Sequence, residues 1–349
     1  MNPIYYHNAP GPGMQEILSA FESVGFRPHI VNLEHPGCMA QIIETGVGPV
    51  MFRPHLHLTR MDACIRHMGV LHEWGFPILP SWPAVLSYDD KTVQAMQLKA
   101  FGLPHCETRV ATDRSQVEAA AAELGFPLVV KLRSGAGSLN VRRLETAGDL
   151  RAYARRMFGR GISPVAGPVR DLGVNIRKSG GLWHSLGKAP RVVAKRIRMK
   201  VLTPRERGYV LMQRFYPGND GDVRVTIFGD KAFAFRRMNR PGDFRASGSG
   251  QIDYVDPRGY ADEIDLAFRL TDQLRASFLA VDFIRDHHQR PIVVEYCPGF
   301  VLGAISGCPG CMDKNGGFSS GSFRAADLLA KLSVAAMNHN DERIQQAMP

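Results

Sequence analysis

The sequence predicts an α/β fold in which a small open α/β domain precedes a larger part of α+β character. Three observations carry this. Residues 1–33 run strand, helix, strand, the unit from which open parallel sheets are built. Between residues 108 and 158 short apolar runs alternate with amphipathic helical stretches. Residues 281–300, VDFIRDHHQRPIVVEYCPGF, hold two apolar runs joined by the polar turn 286–290, which reads as a strand pair with Asp282 in one strand and Glu295 near the end of the other.

At 349 residues the chain is long enough to bury a full core and to divide into two or three subdomains. An apolar content of 44% with 9% aromatics is that of a globular protein, not of a disordered one. No stretch reaches 18 apolar residues and no basic segment leads into an apolar run at the N-terminus, so a membrane span and a signal peptide are not expected. Six cysteines are too few for a disulfide scaffold, and reduced thiols in cytoplasm are expected. The net charge of +10 favours anionic partners without choosing among nucleotides, sugar acids and nucleic acids. Its densest source is the tract 188–207, which reads either as a solvated face or as one that meets anions.

Taken in order, IYYHN within residues 2–8 is a first strand, 14–24 a helix and 27–33 a second strand. The GPG at residues 11–13 is a turn or a ligand contact; the dinucleotide fingerprint is absent. Residues 49–52 form a strand, and His55 and His57 after it read as surface or packed histidines or, less simply, as metal ligands lacking a third partner. Residues 62–74 are helical and Ile78 and Leu79, between prolines, make a short buried strand. Residues 1–88 thus form an N-terminal α/β domain, and 89–112 connect it to the next unit.

Residues 87–100 are a helix with acids at its start, where Lys91 is electrostatically misplaced; an anion reached by Lys91, or simple exposure, would explain it. Strands at 108–111 and 128–131 flank an alanine-rich helix at 115–124. Lys131 ends its strand and the glycine-rich turn of Ser134, Gly135, Gly137 and Ser138 comes directly after, which reads as a phosphate clamp or as a plain hairpin turn with an exposed lysine. A strand at 140–143 and a helix at 146–158 complete a unit at 113–211, with loops rich in Gly, Pro and charge across 159–187 and a strand at 192–197. Residues 212–349 form the last unit. The strand 209–215, YVLMQRF, leads to a hairpin of 223–228 and 232–235 about Gly229 and Asp230, then to RRMNRPGDFRASGSG at 236–250. Four arginines and three glycines in that segment are expensive to bury unless they meet anions. Helices at 262–278 and 323–338 close the pattern.

Carboxylates at strand ends suit a hard cation that also takes phosphate oxygens, as magnesium does with a nucleotide, although on local pattern Asp282 and Glu295 could equally pair with arginines. Cys297, Cys308 and Cys311, with His287 or His288, offer the donors of a zinc or redox cluster, and ordinary reduced thiols are the alternative.

The ordered set Lys91, Lys131, GAGS, strand 209–215, DVRV at 222–225, RRMNRPGDFRASGSG, Asp282 and Glu295 resembles the ATP-grasp superfamily over about residues 85–300. The nearest type is the carboxylate-amine ligases, similar to the ribosomal-protein glutamate ligase and to ATP-grasp proteins of polysaccharide and natural-product clusters. The resemblance implies an ATP-grasp fold with a small N-terminal α/β domain and two subdomains enclosing the nucleotide. It implies that Lys91 and Lys131 reach the ATP phosphates, that Ser134 to Ser138 cover them, and that Met212, Gln213, Arg214 and Phe215 hold the adenine. Asp222 would meet the ribose, and Arg224, Arg237 and Arg245 the γ-phosphate and the acceptor carboxylate. Asp282 and Glu295 correspond to two Mg2+ ligands, a site manganese can also fill. The third, usually Asn, is Cys297, a soft donor poorly suited to magnesium.

The implied activity is formation of an amide or peptide-like bond through an acyl phosphate. Kinase or thioester-forming chemistry on the same fold, and noncatalytic polyanion binding, are the alternatives. Expected partners are a carboxylated small molecule, peptide or sugar acid together with an amine. Self-association is left open, and nucleic acid is disfavoured because neither a recognition helix nor an aromatic platform is evident.

Overall fold

The computed structural model describes residues 3–7, 13–53, 61–135, 137–165, 203–246, 248 and 250–338. The chain divides into two compact units: Met1–His105 with Tyr216–Pro349, and Cys106–Phe215.

The first unit opens with a four-stranded parallel sheet of β1 (Tyr5–His7), β2 (His29–Val31), β3 (Val50–Met51) and β4 (Ile78–Leu79), in the order β2-β1-β3-β4. Alternation along β1 sorts its side chains: Tyr5 packs with Val31 and Val50, while Ile4 and Tyr6 join a different core with Phe21 and Met51. Around this sheet lie α1 (Met14–Ser23), α2 (Cys38–Thr45), α3 (Met61–Glu73) and α4 (Trp82–Leu86), while α5 (Lys91–Ala100) follows in sequence and buries Leu98 in a different core with Phe283 and Val293. Helix α1 buries Ile17, Ala20 and Phe21, the three- and four-residue spacing of one helical face.

The second unit is a four-stranded antiparallel sheet of β5 (Thr108–Ala111), β6 (Leu128–Lys131), β7 (Arg142–Leu144) and β8 (Val210–Arg214), ordered β5-β8-β6-β7. Strand β8 inserts between β5 and β6, so the sheet closes only through a long-range pairing. Helices α6 (Val117–Leu124) and α7 (Ala147–Met157) cover its apolar face, and Thr146 and Asp149 form a capping box at the start of α7.

The rest of the first unit is a larger antiparallel sheet of β9 (Gly221–Phe228), β10 (Lys231–Met238), β11 (Ile252–Asp253), β12 (Phe278–Arg285), β13 (Pro291–Cys297), β14 (Gly310–Asp313) and β15 (Phe318–Ser320). Its order is β13-β12-β9-β10-β14-β15, with β11 on β10. Both faces are covered. Val225, Ile227, Ala232, Ala234, Leu279 and Val281 pack with Ile264, Ala267 and Leu270 of α8 (Ala261–Gln273). Phe228, Phe233, Phe235 and Phe278 of the opposite face pack with α1 and with α9 (Ala325–Asn338). Burying each of these phenylalanines contributes up to ~3 kcal/mol, which fixes the register of every strand that carries one.

Most expected elements lie within two residues of the observed ones, with three exceptions. Helix α5, expected from residue 87, begins at Lys91, because Asp90 caps it and residues 82–86 form the separate helix α4. Strand β10, expected to end at 235, continues to Met238 along its pairing with β9. Helix α8 ends at Gln273 rather than 278, because Arg275 adopts a left-handed φ of 51° and Phe278 already begins β12. Helices α2 and α4 and strands β11, β14 and β15 are absent from the sequence reading. His55, His57 and residues 11 and 12 of the GPG turn fall outside the described residues, as do residues 166–202, which contain the expected strand 192–197 and most of the basic tract.

Candidate active site

The face of the large sheet that carries the phenylalanines changes character toward one end. Along β9 the residues on this face are Phe228, Thr226, Arg224 and Asp222; cross-strand register puts Arg237 of β10 opposite Asp222, Asp282 of β12 opposite Arg224, and Glu295 of β13 opposite Asp282. A strictly alternating strand thus delivers apolar groups to the core at one end and charges at the other. The 13 positions between Asp282 and Glu295 vanish because the hairpin brings them face to face.

These charges form a ladder. Arg224 grips Asp282 with Nε and Nη2 at 2.7 and 2.8 Å. Arg237 grips Asp222 with the same two nitrogens at 2.6 Å each, and its Nη2 also reaches Asp282 at 2.7 Å. Burial alone would raise the Asp282 pKa, but the two guanidinium groups outweigh it and hold the carboxyl well below the usual range. Asp222, the residue expected to meet the ribose, is thus paired with Arg237.

Lys91 joins the same site from α5. Asp90 caps that helix, its carboxylate accepting from the Thr92 and Val93 N–H groups at 3.0 and 3.2 Å, so Lys91 occupies the first helical position where a cation is disfavoured. Its compensation is Glu295, 3.4 Å from the ammonium. Burial lowers the Lys91 pKa, yet Glu295 and Asp89 more than reverse this, and the ammonium stays charged. Glu295 is the more open of the two candidate metal carboxylates, with 32% of its side chain exposed.

Cys297 comes next on the same face, and its Sγ accepts the Gly299 N–H at 3.2 Å. Burial pushes the thiol up to about 12, so it is a neutral S–H at pH 7 and not a thiolate donor. The three cysteines considered for a zinc or redox cluster are not together: Cys297 packs beside the core of Tyr88 and Phe52, whereas Cys308 and Cys311 are buried in the core of α1 and α9. Among the described residues no group of three or more His, Cys, Asp or Glu is arranged to hold a metal. Partly exposed Glu295 suits a hard cation, whereas both Asp282 oxygens already accept from Arg224 and Arg237 and Cys297 is a soft donor.

One residue the sequence reading missed is Arg53, just past β3. Its Nη2 donates to the Phe300 carbonyl at 2.9 Å and its guanidinium lies 5.3 Å over the Phe300 ring, while Nη1 is buried with no hydrogen-bond partner among the described residues. An isolated Arg after a short strand carries no pattern that would reveal this. Arg245 is not part of the ladder; its Nε and Nη2 engage Asp243 at 2.8 and 2.6 Å.

In the other unit, Lys131 ends β6 opposite Leu211 and is buried. The turn after it holds Gly135, Gly137, Ser138 and Asn140 at φ values of 110°, 65°, 59° and 61°. Glycine adopts such left-handed positions without strain. On β8, Met212 is fully buried, Gln213 donates to Thr108 Oγ1 at 3.0 Å, and Arg214 pairs with Glu107 at 2.9 Å. Phe215 lies under the Arg143 guanidinium, 5.0 Å from it. Missed here too was Glu206, whose carboxylate accepts from the N–H groups of Arg133 and Ser134 at 3.1 and 3.2 Å.

No family model matches the chain. It is 30% identical over 139 residues to a formate-dependent phosphoribosylglycinamide formyltransferase of Marinobacter nauticus, a match covering 38% of this chain and 32% of that protein. The chain thus spans about a third of the length of this curated relative in the matched region. Among solved structures, the D-cycloserine synthetase DcsG superposes with a TM-score of 0.57 at 16% identity, covering 95% of this chain and 99% of the other. The ATP-grasp ligase PsnB, solved with a minimal precursor, Mg and ADP, superposes with a TM-score of 0.53 at 16% identity, covering 96% and 98%.

Proposed function

We propose that this chain, whose fold is that of the ATP-grasp proteins, is an ATP-dependent carboxylate-amine ligase. The γ-phosphoryl group passes from ATP to a carboxylate oxygen, with ADP leaving. An amine nitrogen then attacks the acyl carbon, phosphate departs, and the amine's proton is released. The observation that carries this reading is the convergence of Lys91, Arg224, Arg237, Asp282 and Glu295 on one face of the large sheet.

In this reading residues 1–88 shape the substrate site, 89–112 connect, 113–211 form the lid over the phosphates, and 212–349 carry the metal site. Glu295 and, on giving up an arginine contact, Asp282 would hold Mg2+, or Mn2+ in its place, which would supply charge neutralisation to the phosphates. Lys131 and the glycine-rich turn grip the nucleotide in the lid, and Lys91 completes the positive field. Arg224 and Arg237 are held in place by the two aspartates, so their orientation costs nothing at the moment of reaction. Arg245 faces the acceptor carboxylate. No side chain serves as covalent nucleophile, since the substrate carboxylate takes that part. No described helix is long and apolar enough to cross a membrane, and cytoplasmic ATP is the proposed supply.

The test is release of ADP and phosphate that requires both a carboxylate and an amine, with product mass read by spectrometry. Lys131→Ala and Glu295→Ala should each lower turnover by at least about 100-fold. Turnover unaffected by both changes, or a product that is only phosphorylated, refutes the ligase assignment.

A further inference from the structure

Ser134 was expected to face phosphate, but its polar groups are spoken for. The Glu206 carboxylate accepts from the Arg133 N–H on Oε2 at 3.1 Å and from the Ser134 N–H on Oε1 at 3.2 Å. The hydroxyls of Ser134 and Tyr209 donate to it as well, and the Arg133 N–H also approaches the Tyr209 oxygen at 2.6 Å. One carboxylate thus gathers four donors, three of them from residues 133 and 134 at the exit of β6. Charge-assisted bonds of this kind are about twice as strong as neutral ones.

Glu206 reaches this position on a stapled backbone. It exchanges both backbone hydrogen bonds with Ile162 at 2.9 Å. Arg205 beside it donates to the carbonyls of Arg160 and Gly161 at 2.8 and 2.7 Å. The Gly208 N–H bonds Met157 at 3.0 Å. Gly161 has φ +69°, and a Cβ there would lie 2.5 Å from the Glu206 carbonyl oxygen, so the approach demands glycine. Tyr209 stays a phenol donor, because burial and then the Glu206 charge drive its pKa up. The carboxylate is buried, and nothing in this arrangement uses it for chemistry.

We propose that Glu206 is the positioning residue of the glycine-rich turn at 134–138, and that Ser134 belongs to this anchor rather than to the phosphate contacts. The strand pair β6–β8 fixes the turn's entry through Lys131 and Leu211. Glu206 fixes its next two residues, so the left-handed positions at 135, 137 and 138 start from a set geometry. An internal carboxylate thus satisfies the first donors of the turn. The consequence for nucleotide binding rests on the ATP reading above; the anchor itself does not.

Two measurements separate these. In the wild-type chain without nucleotide, amide hydrogen exchange at Arg133 and Ser134 should be slow, and Glu206→Gln should speed it; rapid exchange in the wild type overturns the anchor. With a non-hydrolysable ATP analogue and Mg2+, Glu206→Gln should weaken binding roughly tenfold and raise KM for ATP, leaving KM for carboxylate and amine unchanged. Glu206→Asp should recover part of the loss, and it stands in should the Gln variant fail to fold. Ser134→Ala should act in the same direction, with the double variant no worse than Glu206→Gln alone. Additive losses would make Ser134 a phosphate ligand and overturn the proposal, as would unchanged analogue affinity in Glu206→Gln. If the wild type binds no analogue, the ATP reading fails while amide exchange still judges the anchor.

Discussion

Replacing Asp282 by Asn removes the charge on which the ladder turns. Three contacts meet at this carboxylate, from Arg224 at 2.7 and 2.8 Å and from Arg237 at 2.7 Å. Taken singly, hydrogen bonds to charged groups are worth about 1.5–3 kcal/mol each. They share one acceptor group and do not add. Breaking a buried ion pair by removing one partner costs about 3–5 kcal/mol, because the other charge stays behind. The side chain is only 12% exposed, so solvent relieves little of this. Asn keeps one acceptor oxygen, and Arg237 keeps Asp222, which places the loss near the lower end, at about 3 kcal/mol. Thermal unfolding should show a fall in Tm of roughly 4–6 °C at pH 7.

The pH dependence has a definite sign. The folded pKa of Asp282 is depressed below the unfolded value of about 3.9. Its stabilisation is therefore complete above about pH 5 and is lost as pH falls through 4 toward the depressed value. The gap between wild type and variant should stay constant from pH 7 to 5 and then close. A variant within about 0.5 kcal/mol of wild type at pH 7, or a gap indifferent to acid, would refute the ladder as the source of stability.

The same geometry sets three other outcomes. Cys297→Asn supplies an oxygen donor two residues after Glu295 and should raise turnover at limiting Mg2+ several-fold, with little change at saturation; no gain would count against a metal at this strand. In the wild type, alkylation of Cys297 by iodoacetamide, read by peptide mass, should be slow at pH 7–8, since the thiol lies up at about 12. Lys91→Met should cost only about 1 kcal/mol in urea unfolding, because Glu295 is partly solvated, yet lower turnover at least about tenfold.

The resemblance recognised in the sequence reached the fold class correctly, and local pattern placed most elements within two residues of the observed ones. Apolar alternation in strands such as VRVTIF and IVVEYC and helical spacing in 14–24 are short-range signals, and packing of the large phenylalanines reinforces them. Asp282 and Glu295 were legible as partners because a hairpin links them, so local chain geometry settles their pairing. What the linear pattern left undecided was who answers each charge. Asp222 faces Arg237, 15 positions away, and Lys91 faces Glu295, 204 positions away, only once sheet register and the docking of α5 are set. Glu206 lies in a basic tract that reads as a solvated face or as one that meets anions, and its role appears only when the backbone of 203–208 is stapled beside Ile162. The amino-acid order therefore sufficed for the elements and for the side chains that share a hairpin. Electrostatic pairing is a distance effect over a few ångströms, and for groups remote in the chain that distance exists only in the folded protein.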